Sequence, residues 1–111
     1  MPFKFARALA AALAFGLAAP HAAWSQGQEP IRIGFLTVRT GALAAGGKQM
    51  EEGIQLFLKE RNHTIAGRKV ELIIQDTGGN PAGAKTKTQD LVERSKVHVI
   101  IGPLAAFEAI A

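Results

Sequence analysis

The chain has 111 residues, no cysteine and a formal net charge of +4 at pH 7. This length allows one small domain at most, and without cysteine neither a disulfide nor a lipid attached through a lipobox cysteine can form. Basic residues are scattered and no aromatic residues interleave with them, which argues against a nucleic-acid-binding surface.

The N-terminus has the pattern of a secretory signal peptide over residues 1–25. Lys4 and Arg7 provide a positive start, residues 8–19 (ALAAALAFGLAA) are apolar, and small residues follow. The apolar run is shorter than the roughly 20 residues that a membrane anchor needs. We expect cleavage after Ser25. Since this removes Lys4 and Arg7, the mature chain has a net charge of only +2.

The first half of the mature sequence predicts a strand, a loop and a helix. IRIGFLT, residues 31–37, is a short apolar run typical of a strand buried on both faces. A Gly- and Ala-rich loop is predicted from Thr40 to Gly47, and a helix from about Lys48 to Asn62. Apolar residues of this helix recur with the spacing of one helical face. They are Met50, Ile54, Phe57 and Leu58.

The second half repeats this alternation. The second predicted strand is residues 69–76, and a glycine-rich turn follows it. Asn80 should cap a helix over residues 81–95, because Asn followed by Pro is a favourable helix start. The third predicted strand, residues 97–101, ends at Gly102. The apolar face of the second helix comprises Ala84, Thr88, Leu91 and Val92.

Strands joined by helical crossovers predict a βαβαβ unit of the α/β class. It is an incomplete portion of a doubly wound parallel sheet, with a third helix predicted to begin at Leu104. Because the predicted sheet leaves its edges unpaired, we expect this chain to be the N-terminal portion of a longer protein.

The sequence contains no motif that supports a catalytic site or a nucleotide-binding site. With Lys48 as the lysine of a P-loop, Ala42 and Gln49 stand where glycine and a hydroxyl residue are required. His63 and His98 lack a partner at ligand spacing, so we expect neither a metal nor a cofactor. We therefore predict that the protein is not an enzyme. Carboxylates of the predicted helices fit a solvated face better than acid–base catalysis. They are Glu51, Glu52, Glu60 and Glu93.

Two glycine-containing loops each follow a strand and precede a helix, where free backbone N–H groups suit a carboxylate. These loops are residues 40–47 and residues 102–107. If the first strand lies between the other two, both loops flank the topological switch point at which such sheets bind ligands. Alternatively, the glycines only permit tight turns. Asp76 is predicted to hydrogen-bond the turn that follows it or the next helix N-terminus.

The order of these segments resembles that of type I periplasmic solute-binding proteins, in particular the branched-chain amino-acid binding family of ABC transporters. The resemblance covers residues 31–111 through IRIGFLT, TGALAAGG, NHTIAGRKVELIIQDTGGNPA and IIGPLAAF. It implies that residues 26–111 form the N-terminal part of the first of two lobes that close around a ligand. It also implies a monomeric periplasmic protein that passes a small molecule to an ABC permease in the inner membrane.

The resemblance further implies ligand-binding residues in both loops, with two departures from the family pattern. Gly46 stands where an aromatic residue is frequent, and Ala106 where Ser or Thr often bonds the ligand carboxylate. Backbone N–H groups of Ala106 and Phe107 could still hold a carboxylate. We expect a roomier, less polar pocket for a larger organic acid, such as an aromatic one, rather than leucine or valine. The implied site residues are Thr40, Gly41, Gly46, Leu104, Ala105, Ala106 and Phe107.

Two other functions stay open at this point. One is an extracytoplasmic ligand-sensing receptor domain of the same fold, which a downstream membrane span or signalling domain would indicate. The other is an exported α/β enzyme whose catalytic residues lie beyond Ala111.

Overall fold

The computed structural model describes residues 27–110. The predicted signal peptide and its cleavage point after Ser25 lie outside these residues. No helix among them combines the length and the apolar character that crossing a bilayer requires. The elements in chain order are β1 (Ile31–Thr37), α1 (Ala44–Glu60), β2 (Thr64–Ile65), β3 (Arg68–Asp76), α2 (Pro81–Glu93), β4 (Val99–Ile101) and α3 (Ala106–Ala109).

The strands form one sheet in the order β2-β3-β1-β4. β1 pairs in parallel with both β3 and β4, whereas the short β2 pairs antiparallel with β3. Ile33 of β1 therefore lies opposite Leu72 on one side and Val99 on the other. This order confirms the portion of a doubly wound parallel sheet. It also meets the condition that the first strand lies between the other two predicted strands.

The core forms on both faces of β1, because alternate residues of a strand point in opposite directions. On one face, Ile33 packs with Leu58 of α1 and Val70 of β3. On the other face, Leu91 of α2 packs over Gly34, where an added Cβ would lie 2.8 Å from Leu91 Cδ1. The last five residues of β1 are buried. The apolar run IRIGFLT thus forms the two-sided strand that it predicts.

Helix α1 begins at Ala44, four residues before the predicted start, so the end of the predicted loop is its first turn. Two alanines favour this extension, since alanine has the highest helix propensity. Gly47 faces β1, and a Cβ there would overlap the carbonyl oxygen of Val38. The apolar face is narrower than predicted. Phe57 is 44% exposed and stacks on the guanidinium of Arg61.

Strand β2 is an element that the sequence pattern did not predict. It joins β3 through the two-residue turn Ala66-Gly67, in which both residues have positive φ, 51° and 76°. Such turns match the twist of the strands in tight hairpins. Two strand residues are too few to show the alternation by which strands are recognised.

Helix α2 confirms its predicted cap, because the side-chain oxygen of Asn80 accepts the N–H of Gly83 at 2.8 Å. The helix ends at Glu93, two residues before the predicted end. Val92 is 52% exposed and does not belong to the buried face, so that part of the prediction was wrong.

Strand β4 begins two residues later than predicted. Lys96 has a positive φ of 50°, and the N–H of Val97 donates to the carbonyl of Leu91 instead of the sheet. His98 donates its N–H to Arg32 at 2.8 Å, and its Nδ1 accepts the N–H of Arg32 at 2.9 Å. The imidazole thus replaces a strand carbonyl, and His98 has a structural role at the start of β4.

Candidate functional site

The candidate site lies at the carboxyl edge of the sheet, where the chain leaves β1 and β4. We call residues 38–43, after β1, the first loop, and residues 102–105, after β4, the second loop. The second loop approaches the first turn of α1, the helix that follows the first loop, since a Cβ on Gly46 would lie 3.6 Å from Leu104 Cδ2. Sheets of this class bind ligands at such a switch point.

Thr40 and Gly41 lie in the first loop, and both are exposed. The hydroxyl of Thr40 donates to Asp76 Oδ2 at 3.0 Å. Gly41 has a φ of 82°, and its carbonyl accepts the N–H of Ala44 at 3.2 Å, which turns the chain into α1. Both residues therefore shape the loop, and their contact with a ligand stays a prediction.

Gly46 lies in the first turn of α1 and not in a loop, which corrects its predicted setting. The side chain of Leu104 lies in van der Waals range of the space above it. An aromatic side chain at position 46 would therefore meet Leu104. This contact offsets part of the expected enlargement of the pocket, because Leu104 supplies apolar surface where the aromatic ring is missing.

The other predicted residues occupy the second loop and the start of α3. Leu104 and Ala105 are half-buried, whereas Ala106 and Phe107 are exposed, Phe107 at 47%. Helix α3 begins at Ala106, two residues later than predicted. The first N–H groups of a helix have no partner within it, so those of Ala106 and Phe107 can donate to a ligand.

Asp76 ties the end of β3 to the first loop. Its Oδ1 accepts the N–H of Gly78 at 2.9 Å, which confirms the predicted bond to the turn. The same oxygen accepts the N–H of Arg39 at 2.9 Å, a contact that the sequence did not predict. The bond from Arg39 is the largest of the interactions that lower the pKa of Asp76, and partial burial opposes them.

Arg39 and Glu51 form a second link between the first loop and α1. Nε donates to Oε2 at 2.8 Å and Nη2 to Oε1 at 2.6 Å, the fork geometry of a bidentate pair. The hydrogen bond from Arg39 lowers the pKa of Glu51 and raises that of Arg39. The side chain of Glu51 is only 17% exposed, which corrects the prediction of a solvated carboxylate.

Glu108 is a buried residue of this edge that the sequence reasoning missed. It is 3% exposed, and its two oxygens accept the hydroxyl of Thr77 and, at 3.1 Å, the N–H of Ala105. It also lies on the wall of an open cavity of about 490 Å³ between α2, β4 and α3. Its position three residues after the N-cap residue Ala105, where a capping box places glutamate, was the available signal.

The groups at this edge suit binding better than bond making. They combine backbone N–H groups with the apolar side chains of Leu104 and Phe107, while the carboxylates of Asp76 and Glu108 already accept hydrogen bonds. Over residues 27–110, no three His, Asp or Glu side chains are grouped as a metal site would need.

Replacing Asp76 with asparagine should lower the free energy of unfolding at pH 7 by about 1 kcal/mol, since partly solvated hydrogen bonds lose a charged acceptor. The lowered pKa means that the carboxylate stabilises the fold fully above its ordinary value of 3.8. This contribution is lost as the pH falls through the lower folded-state value. The wild-type advantage should therefore be constant between about pH 8 and pH 5 and shrink towards about pH 3. Urea denaturation across this range measures it, and an advantage that grows on acidification contradicts the assignment.

Comparison with known proteins gives a family match. Residues 30–111 match the family model described as periplasmic binding protein. A search of curated proteins found no match.

Solved structures resemble the chain over most of its described residues. An ABC transporter substrate-binding protein from Sphaerobacter thermophilus is 43% identical over 74% of this chain, with a TM-score of 0.71. LivJ, the branched-chain amino-acid transporter substrate-binding protein from Streptococcus pneumoniae str. Canada MDR_19A, solved with isoleucine, is 34% identical over 73%, with a TM-score of 0.69. An ABC transporter solute-binding protein from Rhodopseudomonas palustris BisB5, solved with 3,4-dihydroxybenzoic acid, is 35% identical over 64%, with a TM-score of 0.61. The chain spans only 22%, 24% and 20% of these proteins, respectively.

Proposed function

Because the chain belongs to the type I periplasmic binding proteins of ABC transporters, of the branched-chain amino-acid type, we propose that it is part of the substrate-binding component of an ABC importer. Residues 26–111 form the N-terminal part of the first lobe, and residues 1–25 direct export to the periplasm. The protein acts as a monomer that binds a small organic acid and passes it to a permease. It performs no chemistry on that molecule.

The observation that carries this proposal is the approach of the second loop to the first turn of α1, beyond the carboxyl end of β1. Gly46 and Leu104 belong to segments that follow the neighbouring strands β1 and β4, and a Cβ on Gly46 would lie 3.6 Å from Leu104 Cδ2. A ligand held at this point contacts residues from two separate parts of the chain. That arrangement suits a lobe that holds one side of a ligand.

The ligand that we propose is a carboxylate with an apolar, preferably aromatic, body. The backbone N–H groups of Ala106 and Phe107 hold the carboxylate, and Leu104 packs against the apolar part. Ala106 has no hydroxyl with which to bind a carboxylate more tightly. Relatives solved with isoleucine and with 3,4-dihydroxybenzoic acid provide one aliphatic and one aromatic carboxylate with which to test this proposal.

The test is isothermal titration calorimetry of the full-length parent protein, with both lobes, using leucine, isoleucine and 3,4-dihydroxybenzoic acid. We expect the aromatic acid to bind at least about tenfold more tightly than leucine, a difference of about 1.4 kcal/mol. The matched variant is Ala106→Ser, which adds a hydroxyl at an exposed position and should strengthen binding of both classes. Tight leucine binding without a response to the aromatic acid would refute the proposed ligand class.

A further inference from the structure

Three buried polar residues, Thr37, Thr77 and Glu108, form a connected line beneath the two loops. Their exposed fractions are 0%, 2% and 3%. Thr37 Oγ1 donates to the carbonyl of Gly47 at 3.0 Å, and the N–H of Thr77 donates to the carbonyl of Thr37 at 2.9 Å. The hydroxyl of Thr77 then donates to Glu108. The line therefore runs from the first turn of α1, past the ends of β1 and β3, to α3.

Glu108 is the member of this line whose burial needs an explanation. Burying a carboxylate costs free energy unless hydrogen bonds or a counter-charge compensate it. The ion pairs found within residues 27–110 do not include Glu108. Its compensation comes from two hydrogen bonds, given by the hydroxyl of Thr77 and the N–H of Ala105.

The second loop lacks the residue that usually fixes such a helix start. A capping box has Ser or Thr at the N-cap position, and here that residue is Ala105. Glu108 supplies the reciprocal half of the box by accepting the N–H of Ala105 at 3.1 Å. The side chain that holds the loop therefore comes from α3, and Thr77 anchors that side chain to the β3–α2 turn.

We propose that Glu108 is a positioning residue of the ligand site. Held by its hydrogen bond from Thr77, Glu108 fixes the position of the second loop. In this position Leu104 lies close to Gly46, and the N–H groups of Ala106 and Phe107 face the ligand. This role rests on the proposed function, because it concerns the same ligand site. A carboxylate suits this positioning role because charge-assisted hydrogen bonds are shorter and stronger than neutral ones.

The first test is independent of any ligand and uses amide hydrogen exchange on the full-length parent protein. Glu108→Ala and Thr77→Val should accelerate exchange of the Ala105 amide by roughly tenfold to a hundredfold, the effect of losing a hydrogen bond to a charged group. Thr77→Ser keeps the hydroxyl and should exchange like the wild type. If Glu108→Ala does not fold, the Thr77→Val and Thr77→Ser pair decides the question. Unchanged exchange at Ala105 in Thr77→Val overturns the proposal.

The second test separates positioning from general stability. Val70→Ala removes core volume on the α1 face of the sheet, away from the second loop, and should destabilise the fold without changing affinity. Titration with 3,4-dihydroxybenzoic acid and isoleucine should show at least about tenfold weaker binding in Thr77→Val and Glu108→Ala than in Val70→Ala. Equal affinities in all three variants overturn the positioning role. If the wild type binds neither probe, the proposed ligand class fails, while the exchange experiment still decides the role of Glu108.

Discussion

Replacing Gly47 with alanine should destabilise the protein by about 2 kcal/mol, although alanine favours helices. The gain in helix propensity is about 1 kcal/mol. This gain is outweighed by a steric clash, because the new Cβ would overlap the carbonyl oxygen of Val38. The same Cβ would lie 2.9 Å from Thr37 Oγ1. A backbone carbonyl cannot turn away as a side chain can, so α1 must move off β1. Such overpacking costs about 3 kcal/mol.

Two glycines of the same helix provide matched controls for Gly47→Ala. A Cβ at Gly53 has no atom within 4 Å, so Gly53→Ala should stabilise the fold by the helix propensity alone. At Gly46 the nearest atom, Leu104 Cδ2, is 3.6 Å away, and Gly46→Ala should be close to neutral or stabilising. Urea denaturation of the three variants gives the free energies. Equal stability of Gly47→Ala and Gly53→Ala would show that α1 does not pack as closely on β1 as we describe.

Gly47 also shows how far the sequence could predict this fold. Three strands, two long helices and the Asn80 cap followed from apolar spacing and from the chemistry of helix starts, which act over a few residues. The glycines near position 47 were assigned to a loop, because glycine is common in loops and disfavours helices. At position 47 the glycine is needed because α1 closely approaches the carbonyl of Val38, a tertiary contact that the local sequence pattern does not contain.

The candidate site was predictable in place but not in detail. The alternation of strands and helices predicted a ligand site at the switch point, provided that the first strand lies between the other two. The observed order β3-β1-β4 fulfils this condition. The bonds of Asp76 to Arg39 and of Glu108 to Thr77 join residues that are 37 and 31 positions apart. No local spacing connects such pairs. The sequence therefore indicates where the two loops lie, whereas the side chains that hold them in place are identified only from the fold.

Replacing Gly102 with alanine should have the second large effect, and it should act on both stability and binding. Gly102 has a φ of 101°, and a Cβ there would overlap the carbonyl oxygen of Leu36 at the end of β1. Overlap with backbone again costs about 3 kcal/mol, and the positive φ adds about 1 kcal/mol for a residue with a side chain. The expected loss in the free energy of unfolding is therefore about 4 kcal/mol.

The control for Gly102→Ala is Gly67→Ala, because it separates backbone conformation from overlap. Gly67 has a φ of 76° in the β2–β3 turn, but a Cβ there has no atom within 4 Å. Gly67→Ala should cost only about 1 kcal/mol and leave ligand affinity unchanged. Gly102 begins the second loop, so any shift that relieves the overlap also moves Leu104 away from Gly46. Calorimetry with 3,4-dihydroxybenzoic acid should therefore show weaker binding in Gly102→Ala alone. Equal losses of stability in the two variants would mean that the second loop does not lie against the end of β1.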